Sequence, residues 1–250
     1  MSPGSLAGRC AIVTGAARGQ GAAEARSLVE AGASVLLADI RDEQGRAVAA
    51  ELGSRARYVH LDVAEAGDWS RGVALATGEF GPVRMLVNNA GVLERGGLVQ
   101  VSRAEFDRTM AVNVTGCLLG MQAVRESMAG AGGGAVVNIA SVGALTGQKG
   151  AVAYVTSKWA VRGLTKAAAN ELSRFGIRVN SVNPGAIKTD MIAGPGFDED
   201  AFVVANRHKL PIRRIGTVAD VAAAVLWLLS DDSSYVTGAE ITVDGGWTLE

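Results

Sequence analysis

Tyr154-Val-Thr-Ser-Lys158 sets a phenol and an ammonium four positions apart, and Ser141 precedes them. On a helix, residues at this spacing emerge from one face a single turn apart, so the two side chains would be neighbours. A free tyrosine ionises near pH ~10, too high for a base at neutral pH, but an adjacent cation favours the phenolate and lowers that value. The chemistry open to such a pair is proton exchange with an alcohol or ketone oxygen. The same spacing also occurs on surface helices, where a tyrosine merely stands beside a solvated lysine, so the rest of the chain decides between the two.

Near the start of the chain, the apolar run 10–13 is followed directly by Thr14-Gly-Ala-Ala-Arg-Gly-Gln-Gly21, and a helical pattern continues to residue 31. In a strand, glycine loop and helix, the glycines let the backbone turn tightly and approach a pyrophosphate, while the free N–H groups and dipole of the helix start attract its charge. A second strand, 34–38, ends on Asp39 and Ile40. An acid about 20 residues past the loop can accept hydrogen bonds from an adenosine ribose and repels a 2′-phosphate, which favours NAD over NADP. Arg18 and Arg41 pull the other way, since either could meet a phosphate.

The elements that must position these residues follow in alternation. Helices are expected over 42–52, 65–80, 102–128, 152–175 and 218–229, and strands over 57–62, 83–88, 135–139, 177–182 and 239–243. Strands alternating with helices imply right-handed crossovers and an α/β architecture, a seven-stranded parallel sheet with helices on both faces. Ligands of such sheets bind at the carboxyl ends of the strands, where Asp62-Val63 and Asn88-Asn89-Ala90-Gly91 fall. The helix over 102–128 carries Phe106, Met110, Val114, Leu118 and Met121 at helical spacing, a stripe for the core or a subunit contact, with Asn113 as its polar exception. The stretch 186–211 shows no sustained strand or helix period and contains Gly194-Pro195-Gly196, so it reads as a mobile substrate lid. No linker divides the chain, and 1–250 reads as a single domain.

Bulk properties exclude several classes. The 250 residues are 48% hydrophobic with a net charge of −1, without the basic footprint of a nucleic-acid binder. The first nine residues lack the pattern of a secretory signal, and no uncharged apolar stretch is long enough to cross a bilayer, so a cytoplasmic protein is expected. Cys10 and Cys117 lie in apolar patterns and read as core fillers; with two histidines besides, no metal cluster is expected.

Thr14-Gly-x-x-x-Gly-x-Gly21, Asn88-Asn-Ala-Gly91, Asn113, Ser141, Tyr154-x-x-x-Lys158 and Pro184-Gly185 together, in this order, resemble the short-chain dehydrogenase/reductase family over nearly the whole chain. The resemblance implies a single Rossmann-type domain, a nicotinamide cofactor and commonly a homotetramer. It makes Tyr154 the general acid/base, Lys158 the residue that lowers its pKa and holds the nicotinamide ribose, Ser141 the hydroxyl that orients the substrate oxygen, and Asn113 the anchor of a proton-relay water. Gly15, Gly19 and Gly21 match the phosphate loop, with Arg18 and Gln20 inside it. Asp62 and Val63 match the adenine contacts, Asn89, Ala90 and Gly91 the ribose wall, and Pro184, Gly185, Ile187 and Thr189 the nicotinamide end. Gln20 stands where the family often has an aliphatic residue, which leaves the packing there open.

Within the family, Ala56-Arg-Tyr-Val-His-Leu-Asp-Val63, Ser157-Lys-Trp-Ala-Val-Arg-Gly163 and Ser230-Asp-Asp-Ser-Ser-Tyr-Val-Thr-Gly-Ala239 are most similar to bacterial hydroxysteroid dehydrogenases of the 3α,20β type. Val142, Leu145, Gln148, Ala186, Met191 and Ile192, mostly apolar, are the expected substrate-facing positions and suit a small hydrophobic alcohol or ketone. A 3-oxoacyl-carrier-protein reductase is the alternative, ranked lower because Ala129-Gly-Ala131 and Asn170 are neutral where that subfamily tends to be basic. A non-catalytic NAD-sensing regulator would be expected to have lost the tyrosine or lysine, and both are intact.

Overall fold

In the computed structural model, which describes residues 6–192 and 196–249, β1 (Cys10–Thr14) is buried at every position. An apolar run without polar alternation needs a sheet covered on both faces. The chain continues through α1 (Gly19–Glu30), β2 (Ser34–Asp39), α2 (Asp42–Leu52), β3 (Ala56–His60), α3 (Ala66–Phe80) and β4 (Val83–Asn88). It passes through two further helices to β5 (Gly134–Ile139), then through a long helix to β6 (Ile177–Pro184) and finally to β7 (Glu240–Val243). The seven strands pair in the order β3-β2-β1-β4-β5-β6-β7, every pair parallel. From β1 the chain steps outward to β3 and then returns to lay β4 on the other side of β1. The loops leaving β1 and β4 therefore diverge and open a crevice at their carboxyl ends, the place where such sheets bind ligands.

One layer of the core packs Leu28 of α1 and Val221, Val225 and Leu228 of a late helix against Val13, Val35 and Val87 of the sheet. The other packs Trp69, Met121, Val124 and Met128 against Ile12, Leu36 and Leu86. Trp69 is 1% exposed and donates from Nε1 to the Val63 carbonyl at 3.0 Å, so its burial strands no polar atom.

The helix expected over 102–128 is not uniform. It runs as α4 (Arg103–Met110), a π turn (Ala111–Thr115) and α5 (Gly116–Gly130), opened by a capping box between Ser102 and Glu105. A π turn inserts one residue and rotates the following face by about 100°. The apolar stripe therefore does not continue through it: the buried side of α5 is Gly116, Cys117, Gly120, Met121, Val124 and Met128, while Leu118 is left 39% exposed.

After it come α6 (Val152–Leu172), α7 (Glu199–Ala205) and α8 (Val218–Leu229). The helix α7 corrects the expectation of no helix over 186–211. Asp198 caps it by accepting from Ala201 N–H at 2.9 Å, and seven residues are too few to show a period in sequence. The Phe202 ring lies between Phe197 and Trp247, 5.5 Å and 6.2 Å from their centroids. Gly194 and Pro195 fall outside the described residues. No helix among the described residues is long and apolar enough to cross a membrane, and none of their His, Cys, Asp and Glu side chains form a metal-holding group of three.

Candidate active site

The loop after β1 is shaped by two demands that only glycine meets. Gly15 has φ +63°, and a Cβ on Gly21 would strike the Gly15 carbonyl and the Asn89 amide. The loop is tied to β4 by Thr14, whose hydroxyl donates to the Val87 carbonyl at 3.3 Å and accepts from Asn89 and Ala90 N–H, each at 3.0 Å. Asn89 returns the link, its Nδ2 donating to the carbonyls of Thr14 at 2.9 Å and Gly15 at 3.3 Å. Gln20 takes up its unusual position by turning inward, donating to Asn89 Oδ1 and Glu24 Oε1 at 3.1 Å each. Arg18 at the start of α1 supplies no side-chain cap, so the helix start keeps amide groups for an anion.

At the end of β2 the Asp39 carboxylate is fixed, one oxygen accepting from Ala17 N–H at 2.9 Å and the other from Arg41 N–H at 3.0 Å. Ile40 and Arg41 beside it are exposed. Past β3, Asp62 Oδ1 accepts from Ala64 N–H at 2.9 Å, and Val63 is buried against Gly116. The loop after β6 closes over the first glycine turn. Gly185 packs on Asp244, Ile187 is buried and bridges Gly216, Thr189 stands over Gly19, and Arg18 pairs with Asp190.

The polar groups of the second motif converge beside this loop. A Cβ built on Gly143 would stand 3.4 Å from Ser141 Oγ and 3.6 Å from the Tyr154 ring, with Gln148 Oε1 at 3.8 Å. One built on Gly91 would stand 3.3 Å from Asn113 Oδ1 and 3.4 Å from Lys158 Nζ. Lys158 is 4% exposed, donates to the Ile139 carbonyl at 2.8 Å and lies over the Tyr154 ring, 5.7 Å from its centroid. Asn113, at the middle of the π turn, accepts from Val92 N–H at 2.8 Å and donates to the Val92 carbonyl at 3.0 Å and to Ser157 Oγ at 2.9 Å. Its side chain thus clasps the loop after β4 to α6, and its main-chain carbonyl accepts from Cys117 Sγ at 3.2 Å.

The electrostatics depart from the sequence expectation. Burial raises the Tyr154 phenol above its ordinary value, the Ser141 hydroxyl draws it part of the way back, and burial lowers the Lys158 ammonium. Spacing brings the two groups together, but each pays separately for leaving water, and Lys158 aims its ammonium at a carbonyl rather than at the phenol oxygen.

A family model described as Enoyl-(Acyl carrier protein) reductase matches residues 15–248. A 3-alpha-(or 20-beta)-hydroxysteroid dehydrogenase of Mycobacterium bovis is 46% identical over 97% of this chain and 90% of its own. The chain belongs to the short-chain dehydrogenase/reductase family. Its further relatives in that family include a trans-4-hydroxycyclohexanecarboxylate dehydrogenase of Sinomonas cyclohexanicum, 39% identical over 97% of this chain and 94% of that one. A cyclopentanol dehydrogenase of Comamonas is 39% identical over 98% of this chain and 99% of that one. Short-chain dehydrogenases/reductases are oxidoreductases that use a nicotinamide cofactor, and the crevice fits one: a glycine cradle that Cβ atoms would fill, a helix start without a side-chain cap, and a buried lysine with one hydrogen bond among the described residues.

Sequence reading did not single out Thr14, Ser157 or Glu24. Thr14 and Ser157 were signalled only by lying inside the two motifs, where each hydroxyl bridges main chain to a second element.

Proposed function

We propose that this enzyme interconverts a hydrophobic secondary alcohol and its ketone, with NAD as the hydride carrier and Tyr154 as general acid/base. The observation that carries this reading is the convergence of Ser141 Oγ and the Tyr154 ring on Gly143, with Lys158 behind them. When bound, the nicotinamide supplies the acceptor or donor of hydride. The loop Gly15, Arg18, Gly19, Gln20 and Gly21 would hold the pyrophosphate, Asp39 and Ile40 the adenosine ribose, and Asp62 and Val63 the adenine. Asn89, Ala90, Gly91, Tyr154 and Lys158 would line the nicotinamide ribose, and Pro184, Gly185, Ile187 and Thr189 the carboxamide. In oxidation the Tyr154 phenolate takes the hydroxyl proton; in reduction the phenol returns it to the oxygen. Ser141 donates to that oxygen as its charge develops, worth about 3 kcal/mol. Asn113 holds the site through Val92 and Ser157, and its main chain serves the relay water.

The relatives' names point to steroid and cyclic alcohols, which agrees with apolar Val142, Leu145, Ala186, Met191 and Ile192. The reading of 186–211 as a substrate lid is supported by the Arg18–Asp190 pair, which ties the described residues after β6 to the glycine loop. A homotetramer is supported by Leu118 and Trp159, left 39% and 49% exposed on α5 and α6.

Reduced-cofactor absorbance across steroid, cyclic, aliphatic and acyl-thioester substrates tests the reading, with NAD and NADP compared. Turnover confined to acyl thioesters would replace it with the carrier-protein reductase, and tight NAD binding without any turnover with the sensor. Because burial holds Tyr154 neutral beyond its ordinary range, alcohol oxidation should rise with pH up to 10 as the small phenolate fraction grows, while ketone reduction, which uses the phenol, should keep its full rate over that range. Oxidation rates flat from pH 6 to 10 would contradict Tyr154 as the base.

Asp39 supports NAD in particular, because its fixed carboxylate would repel a 2′-phosphate while Arg18 is already paired with Asp190. Asp39→Ala should weaken NAD binding about tenfold or more, the scale of a hydrogen bond to a charged group, and raise the NADP-to-NAD ratio of kcat/KM. An unchanged ratio would show that Asp39 does not choose the cofactor.

A further inference from the structure

Helix α1 carries an acid where its packing suits an aliphatic side chain. Glu24 lies on the buried face with Gly21, Ala25 and Leu28 and is 1% exposed. Its Oε1 accepts from Gln20 Nε2 at 3.1 Å, and its Oε2 has no hydrogen-bond partner among the described residues. The same Gln20 nitrogen reaches Asn89 Oδ1 at 3.1 Å, and Asn89 Nδ2 reaches the Thr14 and Gly15 carbonyls. A continuous chain of hydrogen bonds therefore runs from the buried carboxyl to the turn of the glycine loop.

The ionisable groups of the surrounding elements are engaged elsewhere or lie apart. On α1 itself Arg18 pairs with Asp190 and Arg26 with Glu51 of α2, while Glu30 is exposed. Asp42 and Arg46 of α2 pair with each other, and Glu43 is exposed. On α8, packed along α1, the sole ionisable residue is Asp220, which is paired with Arg214. In the strands beneath, Asp39 is held by Ala17 and Arg41 N–H, and Cys10 belongs to the opposite core layer.

We propose that Glu24 is a positioning residue of the cofactor site, which holds Gln20 against Asn89 and so shapes the glycine loop for a dinucleotide, and whose ionisation weakens dinucleotide binding by setting a buried negative charge near the bound anion. A charge on Glu24 would be buried, and it would add to the repulsion of an anion held at the start of the same helix. Burial pushes this carboxyl up to about 8, with the Gln20 hydrogen bond opposing, so the neutral acid is the form present at neutral pH. Affinity is then full below about pH 8 and falls as pH rises through it.

The proposal rests on the dinucleotide reading of the loop, and its test separates the two. NADH binding is titrated by fluorescence from pH 6.5 to 9.5 for the wild type and for Glu24→Gln, each in a Tyr154→Phe background that removes the phenol's own titration. The dissociation constant of the Glu24 protein should climb above about pH 8, at the limit tenfold per pH unit, while Glu24→Gln keeps neutral-pH affinity and loses this rise. The same rise in both proteins overturns the proposal and leaves the dinucleotide reading intact; no NADH binding at any pH overturns both. Should Glu24→Gln fail to fold, calorimetry of NADH binding to the Glu24 protein at pH 8.5, in buffers of different ionisation enthalpy, gives the same answer. Proton uptake is expected there, and its absence overturns the proposal.

Discussion

Tyr154→Phe should remove turnover by about 10³-fold, within the range that a positioned general acid/base contributes, while leaving NADH affinity nearly unchanged. The two halves of this expectation come from different atoms of one side chain. The ring fills its place on α6, stands beside Ser141 and carries Lys158 over its face at 5.7 Å, and phenylalanine keeps all of that. Only the O–H is lost, the one group at this position able to exchange a proton with a substrate oxygen. The described hydrogen bonds that hold the glycine loop run through Thr14, Gln20 and Asn89, so the pyrophosphate end of the dinucleotide site should not register the change, and at the nicotinamide ribose only one hydroxyl is lost. Steady-state rates beside a binding titration check both halves. Retained activity would sink the mechanism, and lost NADH binding would make Tyr154 mainly a cofactor contact.

What the sequence made legible were residues whose type answers a local physical demand. Gly15 must adopt a positive φ and Gly21 must leave room for a carbonyl, so the glycine loop could be read without a structure. The pairing of Tyr154 with Lys158 followed from helix geometry, and the parallel sheet from alternating periods. Features that depend on what surrounds a residue stayed hidden. The partner of Lys158 is the Ile139 main chain, which has no residue signature. The π turn at Asn113 inserts a residue that no pattern in Ala111-Val-Asn-Val-Thr115 declares. Glu24 reads as an ordinary acid in an alanine-rich helix, and only the packing of α8 along α1 and its 1% exposure make it unusual.

The same distinction explains why proximity did not translate into a lowered tyrosine pKa. A cation near a phenol helps in proportion to how charged it is and how directly it faces the oxygen. Lys158 is itself drawn toward neutrality by burial, and its ammonium is committed to a carbonyl. The Ser141 hydroxyl is the described group that favours the Tyr154 phenolate in this arrangement.

Lys158→Met should make the protein more stable and a much worse enzyme. Nζ makes one described hydrogen bond, at 2.8 Å to Ile139, in a site where the residue is 4% exposed, so the fold bears most of the cost of desolvating an ammonium. Methionine is apolar and nearly as long, and exchanging a poorly compensated buried charge for such a group should stabilise by about 1–3 kcal/mol, or several degrees in Tm for a chain of this size. The sign follows from linkage. Burial lowers the lysine below its usual 10.5, so between the lowered value and 10.5 the unfolded chain binds more protons and wild-type stability rises with pH. The variant should lack that slope, and its advantage should shrink toward pH 10.5. Turnover should fall about 100-fold or more and NADH affinity about tenfold, because the donor proposed for the nicotinamide ribose is gone. Thermal melts across pH beside NADH titrations separate the two effects. A lower Tm at every pH would mean that Lys158 is retained for the fold. A higher Tm with weakened cofactor binding would mean that the fold tolerates a costly charge because the chemistry requires it.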